Sequence, residues 1–190
     1  MKDLSQVAEE AIPVSVTFLE MDRPPLTYPS TPMNSPVALF RARDISLHYY
    51  RYLMDRVGRK WHWVNVLRMS DDELGAYLRA PGRDIRVLYL NGSPAGFFDL
   101  HAQTPDLVDL AYFGMMKEAI GQGLGRWFLG AAIETAWSYA PKRVIVQTCT
   151  LDHPAALPLY QKLGFVPIGQ MRTLVHPMAE ANRAVAIYSD

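Results

Sequence analysis

The chain has 190 residues, which fits one domain with a sizeable core. Its 19 Lys and Arg balance its 19 Asp and Glu, so no strongly basic field favours a nucleic acid or an anionic membrane as partner. No apolar run approaches a membrane span, and the first ten residues lack the apolar core of a signal peptide. A cytoplasmic location is therefore the expectation.

The N-terminal part predicts a strand followed by an irregular arm. The strand covers Pro13–Met21, and five prolines between residues 24 and 36 prevent regular structure after it. We therefore divide the chain into an N-terminal strand with a Pro-rich arm, residues 1–36, and a single domain, residues 37–190.

Two helices are predicted in the middle of the chain. The first, Ile45–Val57, follows a short strand over Val37–Ala42 and ends at Gly58. The second begins with a capping box, Ser70-Asp71-Asp72-Glu73, and ends at Pro81-Gly82. Apolar residues at helical spacing support both helices.

The rest of the chain alternates strands with helices after a hairpin. The favoured two-residue turn Asn91-Gly92 joins the hairpin strands Ile85–Leu90 and Ala95–Leu100. The later elements are the strand Leu107–Met116, the helix Gly123–Tyr139, the strand Arg143–Thr150, the helix Ala155–Leu163, the strand Phe165–Val175 and a last strand around Ala184–Tyr188. The single cysteine, Cys149, falls in a β-branched run, which predicts a buried core thiol.

A glycine-rich run, Gly121-Gln122-Gly123-Leu124-Gly125-Arg126, joins a predicted strand to a predicted helix. Glycines allow a close backbone approach, and the free N–H groups of a helix start attract anions, so this arrangement predicts a phosphate-bearing ligand. A dinucleotide fingerprint is disfavoured, because Arg126 replaces the third glycine and no acidic ribose partner follows. A tight structural connection is the alternative.

Two motifs in register resemble the GNAT superfamily of acyl-CoA-dependent N-acyltransferases. The first is its acyl-CoA loop, Gln/Arg-x-x-Gly-x-Gly/Ala, found here over Ile120–Gly125 with Ile120 departing from the pattern. The second runs from His153 to Phe165 and resembles Asn-x-x-Ala-x-x-Leu-Tyr-x-Lys-x-Gly-Phe. The resemblance implies an α/β (α+β) fold, with a mixed, largely antiparallel sheet, helices on both faces and a splayed strand pair that binds acyl-CoA.

The resemblance also implies roles at the cofactor side, with acetyl-CoA as cosubstrate and no metal. The pantetheine arm would pair with Met115, and an N–H of Met115 or Met116 would polarise the thioester carbonyl. His153 would contact pantetheine, or it caps the helix. The pyrophosphate would rest on the N–H groups of Gln122, Gly123, Leu124, Gly125 and Arg126.

The proton transfers of amide formation are assigned to Tyr160 and Asp109. Tyr160 matches the family tyrosine that donates to the CoA sulfur, although it also fits an apolar helix stripe. Asp109 resembles the base of the histone-acetylating branch, and period-two alternation would place it on the same sheet face as Met115. An exposed polar residue is the alternative for Asp109, and Asp99 and Glu118 are the reserve bases.

The sequence says least about the acceptor. The expected partner is a small-molecule amine or peptide acceptor, and a homodimer is compatible with the sequence. Aromatic residues near the two N-terminal helices are either a pocket wall or core: Tyr49, Tyr50, Tyr52, Trp61, His62 and Trp63. The leading function is acetyl-CoA-dependent N-acetyl transfer. The alternatives are a non-catalytic CoA-binding regulatory or interaction module and a nucleotide-binding α/β protein.

Overall fold

The computed structural model describes residues 10–33 and 35–188. The expectation about a signal peptide therefore falls almost entirely outside the described residues. Seven strands form one sheet: β1 (Ile12–Met21), β2 (Val37–Arg41), β3 (Arg83–Leu90), β4 (Ser93–Thr104), β5 (Leu107–Met115), β6 (Arg143–Cys149) and β7 (Val166–Val175). Five α-helices accompany them: α1 (Leu47–Gly58), α2 (Asp71–Leu78), α3 (Gly125–Trp137), α4 (Ala156–Lys162) and α5 (Glu180–Tyr188).

The strand order is β2-β3-β4-β5-β6-β1-β7, and only the β5–β6 pair is parallel. Helices α3 and α4 contribute to a core on one face of the sheet, and α1 and α2 to a second core on the other. The predicted fold class, a mixed and largely antiparallel sheet with helices on both faces, is confirmed. No described helix is long and apolar enough to cross a membrane.

Local signals in the sequence specified several elements correctly. The capping box is present: the Ser70 hydroxyl accepts from the Glu73 N–H at 3.3 Å, and the Glu73 carboxylate accepts from the Ser70 N–H at 2.8 Å. Asn91 and Gly92 have φ angles of 52° and 79°, as a primed hairpin turn requires. These side-chain and turn preferences depend on near neighbours only.

The N-terminal strand lies inside the sheet, between β6 and β7. Leu19 of β1 is fully buried, as is typical of an interior strand. The arm that follows packs on α3, where a Cβ added to Gly130 would come within 2.6 Å of Pro29 Cδ. The division at residue 36 stays a prediction, although β1 shares one sheet with the strands that follow it.

The C-terminal segment corrects one expectation. We expected a strand around Ala184–Tyr188, but α5 covers Glu180–Tyr188. Its Arg183 is buried and forms a 3.0 Å ion pair with the buried Asp55 of α1. This long-range pair fastens the helix to α1, and a local pattern could not reveal it.

A β-bulge in β5 changes which side chains share a face. Asp99 lies opposite Tyr112 and Leu100 opposite Leu110, so Ala111 is the extra residue. Because one inserted residue inverts the alternation, the predicted shared face of Asp109 and Met115 is wrong. Asp109 instead lies on the face of Tyr112, towards α1 and α2, whereas Met115 packs with the α3 core.

Candidate active site

Strands β5 and β6 separate after a short parallel contact. They pair only where Leu107–Leu110 meets Arg143–Val146. Beyond that point β5 continues alongside β4, and β6 alongside β1. The expected splayed pair is therefore present, and the split opens into a cavity of about 1000 Å³.

The backbone of β5 presents free donors to this split. Met116 donates its N–H to the Ala95 carbonyl at 2.8 Å, while Met115 lies opposite Gly96. In an antiparallel ladder this pattern makes Met115 and Gly96 a non-hydrogen-bonded pair, so the Met115 N–H points away from β4. The same alternation turns the Phe113 N–H towards the split.

Met116 therefore cannot supply the N–H that polarises a thioester. Its N–H is already engaged, its side chain is buried, and it does not line the cavity. Of the two predicted donors, only Met115 remains available. Sequence reasoning missed the Phe113 N–H, because strand register determines which backbone groups are free.

The glycine-rich run forms the open end of the cavity. Gly121 and Gly123 have φ angles of 84° and 75°, which an L side chain adopts only with strain. Within the described part of the chain, the N–H groups of residues 121–127 donate no hydrogen bond, and the first helical bond of α3 runs from Phe128 to Leu124. This row of free donors at a helix start is suited to bind an anion.

Individual residues of the run have different positions. Leu124 is a core side chain, and the Gln122 amide donates to the Glu118 carbonyl at 2.7 Å, so both offer only their backbone N–H. Gly125 begins α3 in helical geometry, which corrects the expected helix start at Gly123. The exposed Arg126 lines the cavity, and so does Gly121, which we had not assigned to the site.

Tyr160 of α4 lines the cavity at the split. Its ring packs edge-on against Phe113 and Phe165 at centroid distances of 6.3 and 5.8 Å. Its hydroxyl has no hydrogen-bond partner among the described residues, although the side chain lines the cavity. Burial raises the pKa of Tyr160 far above its usual value, and the charge of Asp152 raises it further. The phenol is therefore a protonated donor that still lacks an acceptor.

His153 makes a short-range hydrogen bond in the segment before α4. Its Nδ1 accepts from the Ala155 N–H at 3.1 Å, and its ring meets Trp61 edge-on at 5.4 Å. The first turn of α4 receives no side-chain cap, so this bond fixes the segment before the helix, and the helix-cap alternative for His153 is wrong. Because Nδ1 accepts, the neutral ring carries its proton on Nε2, and a contact from that atom to pantetheine stays a prediction.

Asp109 lines the cavity where β5 and β6 begin to separate. Burial raises the pKa of Asp109 to about 6, while Arg83 opposes the shift. Because the bulge at Ala111 adds a residue but little length, Asp109 lies roughly 10 Å along the strand from Phe113 and about 17 Å from Met115, counted at about 3.3 Å per residue on the paired strand β4. A proton from an amine held near either N–H would therefore reach Asp109 through water.

The reserve bases are in less suitable environments. Asp99 is fully buried and accepts hydrogen bonds from Tyr50, Tyr77 and Arg83, so it is sealed from the cavity. Glu118 is exposed and pairs with Arg56 at 3.3 Å. Neither lines the cavity.

Aromatic side chains form part of the cavity wall. Trp61, Trp63, Tyr77 and Tyr112 line it, and the Trp63 and Tyr112 rings are 5.3 Å apart. Gly114 leaves room for this packing, because a Cβ there would lie 3.1 Å from the Trp63 ring. His62 also lines the cavity, whereas the expected wall residues Tyr49, Tyr50 and Tyr52 do not.

Cys149 is half-buried and lines the cavity, so the expectation of a core thiol is wrong. Burial raises the pKa of the Cys149 thiol. Among residues 10–33 and 35–188, no three His, Cys, Asp or Glu side chains converge as metal ligands would.

Comparison with known proteins agrees with this geometry. A model of the acetyltransferase (GNAT) family matches residues 43–165. The chain belongs to the GNAT acetyltransferase family. No curated protein matches its sequence significantly.

Solved structures share the fold at low sequence identity. A GCN5-related N-acetyltransferase from Sphaerobacter thermophilus is 12% identical with a TM-score of 0.63, over 90% of this chain and 55% of that one. A GCN5-related N-acetyltransferase from Kribbella flavida is 17% identical with a TM-score of 0.59, over 87% and 59%. A GNAT family acetyltransferase from Elizabethkingia anophelis, with acetyl-CoA bound, is 17% identical with a TM-score of 0.51, over 70% and 78%. This GNAT chain thus spans less than two thirds of the first two proteins.

Proposed function

We propose that this GNAT protein transfers an acetyl group from acetyl-CoA directly to the primary amine of a small molecule or peptide. The observation that carries the proposal is the row of unpaired N–H groups over residues 121–127 at the open end of the split. It supports pyrophosphate binding, because backbone donors at a helix start favour negative charge. The Elizabethkingia anophelis relative, which holds acetyl-CoA, supports the same donor.

The donor would lie along β5. Pantetheine would add to the free edge of β5 as an extended segment, since the strand has lost β6 as a neighbour there. The N–H groups of Phe113 and Met115 face this space, and either can hydrogen-bond the thioester oxygen as it becomes negative. His153 Nε2 would contact the pantetheine arm from the side of α4.

The chemical step forms a nitrogen–carbon bond and breaks the carbon–sulfur bond. The amine must first lose a proton, which Asp109 would accept through water. The departing thiolate takes a proton from the Tyr160 hydroxyl, and the second proton that the nitrogen loses as the amide forms returns to the Tyr160 phenolate through water. The two protons are thus handled by groups at different ends of the cavity.

Thiol release from acetyl-CoA over a panel of amines, together with melting shifts for CoA, NAD and ATP, tests the proposal. We expect CoA to stabilise the fold and thiol release to depend on an amine. Stabilisation by CoA without thiol release from any amine would favour the CoA-binding module. Stabilisation by NAD or ATP but not by CoA would contradict the assignment of the loop.

A further inference from the structure

Asp152 lies where the acceptor side of the cavity meets the cofactor side. It follows β6 and lines the cavity together with Trp63 and Tyr160. Its Oδ1 accepts from Trp63 Nε1 at 3.2 Å, so it touches the aromatic wall directly. Its charge also contributes to the raised pKa values of Tyr160 and Cys149.

The hydrogen bonds of Asp152 leave one acceptor position open. Oδ2 accepts from the Thr148 hydroxyl at 2.7 Å and from the Cys149 N–H at 2.8 Å, whereas among residues 10–33 and 35–188 Oδ1 accepts only from Trp63. An ionised carboxylate offers about four acceptor positions, two on each oxygen. Within the described part of the chain, no Lys, Arg or His forms an ion pair with Asp152.

We propose that Asp152 binds the ammonium group of the acceptor through Oδ1, and that the acceptor is a primary amine on an uncharged aromatic or apolar body. This rests on the proposed acetyl transfer. An ammonium group is a donor with the complementary charge, and it would satisfy the open position of Oδ1. The nitrogen would then lie on the Tyr160 side of the cavity.

The wall around Asp152 defines the rest of the acceptor class. Trp61, Trp63 and Tyr112 offer ring surface for an aromatic body, and indole faces also attract cations. Few cationic side chains line the cavity, so a carboxylate on the acceptor would find few partners of opposite charge. Arg68 donates to the carbonyls of His176 and Pro177 at 2.6 and 2.9 Å, and Arg126 lies at the glycine-rich run.

The test measures binding to the protein saturated with CoA, where no transfer occurs. Three probes share a phenyl body: 2-phenylethylamine, the neutral 2-phenylethanol and L-phenylalanine, which adds a carboxylate. By calorimetry at pH 7, we expect the amine to bind about tenfold to a hundredfold more tightly than the alcohol, as a charge-assisted hydrogen bond predicts. L-Phenylalanine should bind more weakly than the amine. Equal affinity of amine and alcohol, or tighter binding of L-phenylalanine, would overturn the inference.

Two variants separate recognition of charge from structural support. Asp152→Asn should remove the preference for amine over alcohol, and Asp152→Glu should restore part of it. If Asp152→Asn weakens both probes equally, the carboxylate is structural and the inference is wrong. The wild-type comparison of amine and alcohol decides the question even if Asp152→Asn does not fold. Failure of the proposed function would be distinct, as an absence of thiol release with every amine.

Discussion

At the scale of the residue, Tyr139 serves as a control for Tyr160, because the two hydroxyl groups have different partners. The Tyr160 hydroxyl lines the cavity without a partner among the described residues, whereas the Tyr139 hydroxyl donates to the buried Asp84 at 2.9 Å, and neither Tyr139 nor Asp84 lines the cavity. Removing a hydroxyl that donates to a buried carboxylate costs stability, whereas removing a hydroxyl without a partner costs little. The two tyrosines should therefore respond differently to the same change.

We expect Tyr160→Phe to lower turnover on the order of 10²-fold with little change in melting temperature, because the ring is retained and only a proton donor is lost. Tyr139→Phe should lower the free energy of unfolding by about 1 kcal/mol and leave turnover intact. Steady-state kinetics and thermal melts check both. Wild-type turnover with weaker CoA binding in Tyr160→Phe would make this tyrosine only a wall of the site.

The raised pKa of Asp109 predicts a pH profile. If Asp109 accepts the proton of the amine, log(kcat/KM) should rise with pH through an apparent value of about 6. Asp109→Asn should remove that limb while CoA still stabilises the fold. The control is Asp106→Asn, an exposed carboxylate paired with Lys142 at the turn before β5. An unchanged profile in Asp109→Asn would assign the base to another group.

The same pKa has a consequence for stability. Folding raises the Asp109 pKa above its unfolded value, so the folded chain binds more protons between about pH 4 and 6. The contribution of Asp109 to the free energy of unfolding therefore falls as pH rises through this window. Urea titrations at pH 4.5 and 7 should show a smaller decrease in Asp109→Asn than in the wild type, and an identical decrease would refute the burial of this carboxylate.

At the scale of the element, the connection from β5 to α3 contains two glycines in the left-handed region, Gly121 and Gly123. A Cβ on Gly123 would touch no atom within 4 Å, so the penalty there comes from its φ of +75°. Gly125 is helical, and a Cβ there would make an ordinary 3.5 Å contact with Met115 Cε. The conformational argument therefore applies to Gly123 and not to Gly125.

We expect Gly123→Val to abolish the melting shift caused by CoA, because a β-branched residue disfavours the backbone that aims the free N–H groups. Gly125→Ala is the matched control and should retain most of the shift. Differential scanning fluorimetry with and without CoA measures both. A full shift in Gly123→Val would show that phosphate does not bind at this loop.

At the scale of the whole molecule, the position of β1 links the two ends of the chain. β1 pairs with β6 on one side and with β7 on the other, so it closes the half of the sheet beyond the split. Leu19 at its centre is fully buried, while Leu26 in the arm is fully exposed. The fold thus depends on Leu19 of β1 and much less on Leu26 of the arm.

We expect Leu19→Ala to lower the free energy of unfolding by about 2–5 kcal/mol, the usual cost of such a cavity. Leu26→Ala should change it by no more than about 0.5 kcal/mol. Chemical denaturation measures both differences. If Leu19→Ala unfolds like the wild type, β1 is not the buried interior strand described above.

The sequence by itself determined what near neighbours and backbone preferences control. The capping box at Ser70, the turn at Asn91 and the motif around Tyr160 are local, so most elements and the fold class followed from them. Only the tertiary structure decided the rest. The bulge at Ala111 places Asp109 on the other face of the sheet. Strand register leaves Met115, and not Met116, with a free N–H. A buried ion pair of Arg183 with Asp55 holds a helix where a strand was expected. The open oxygen of Asp152 became visible only once Trp63, distant in sequence, lay against it. Pairing between distant residues has no local signature, because its free energy is gained only after the chain has folded.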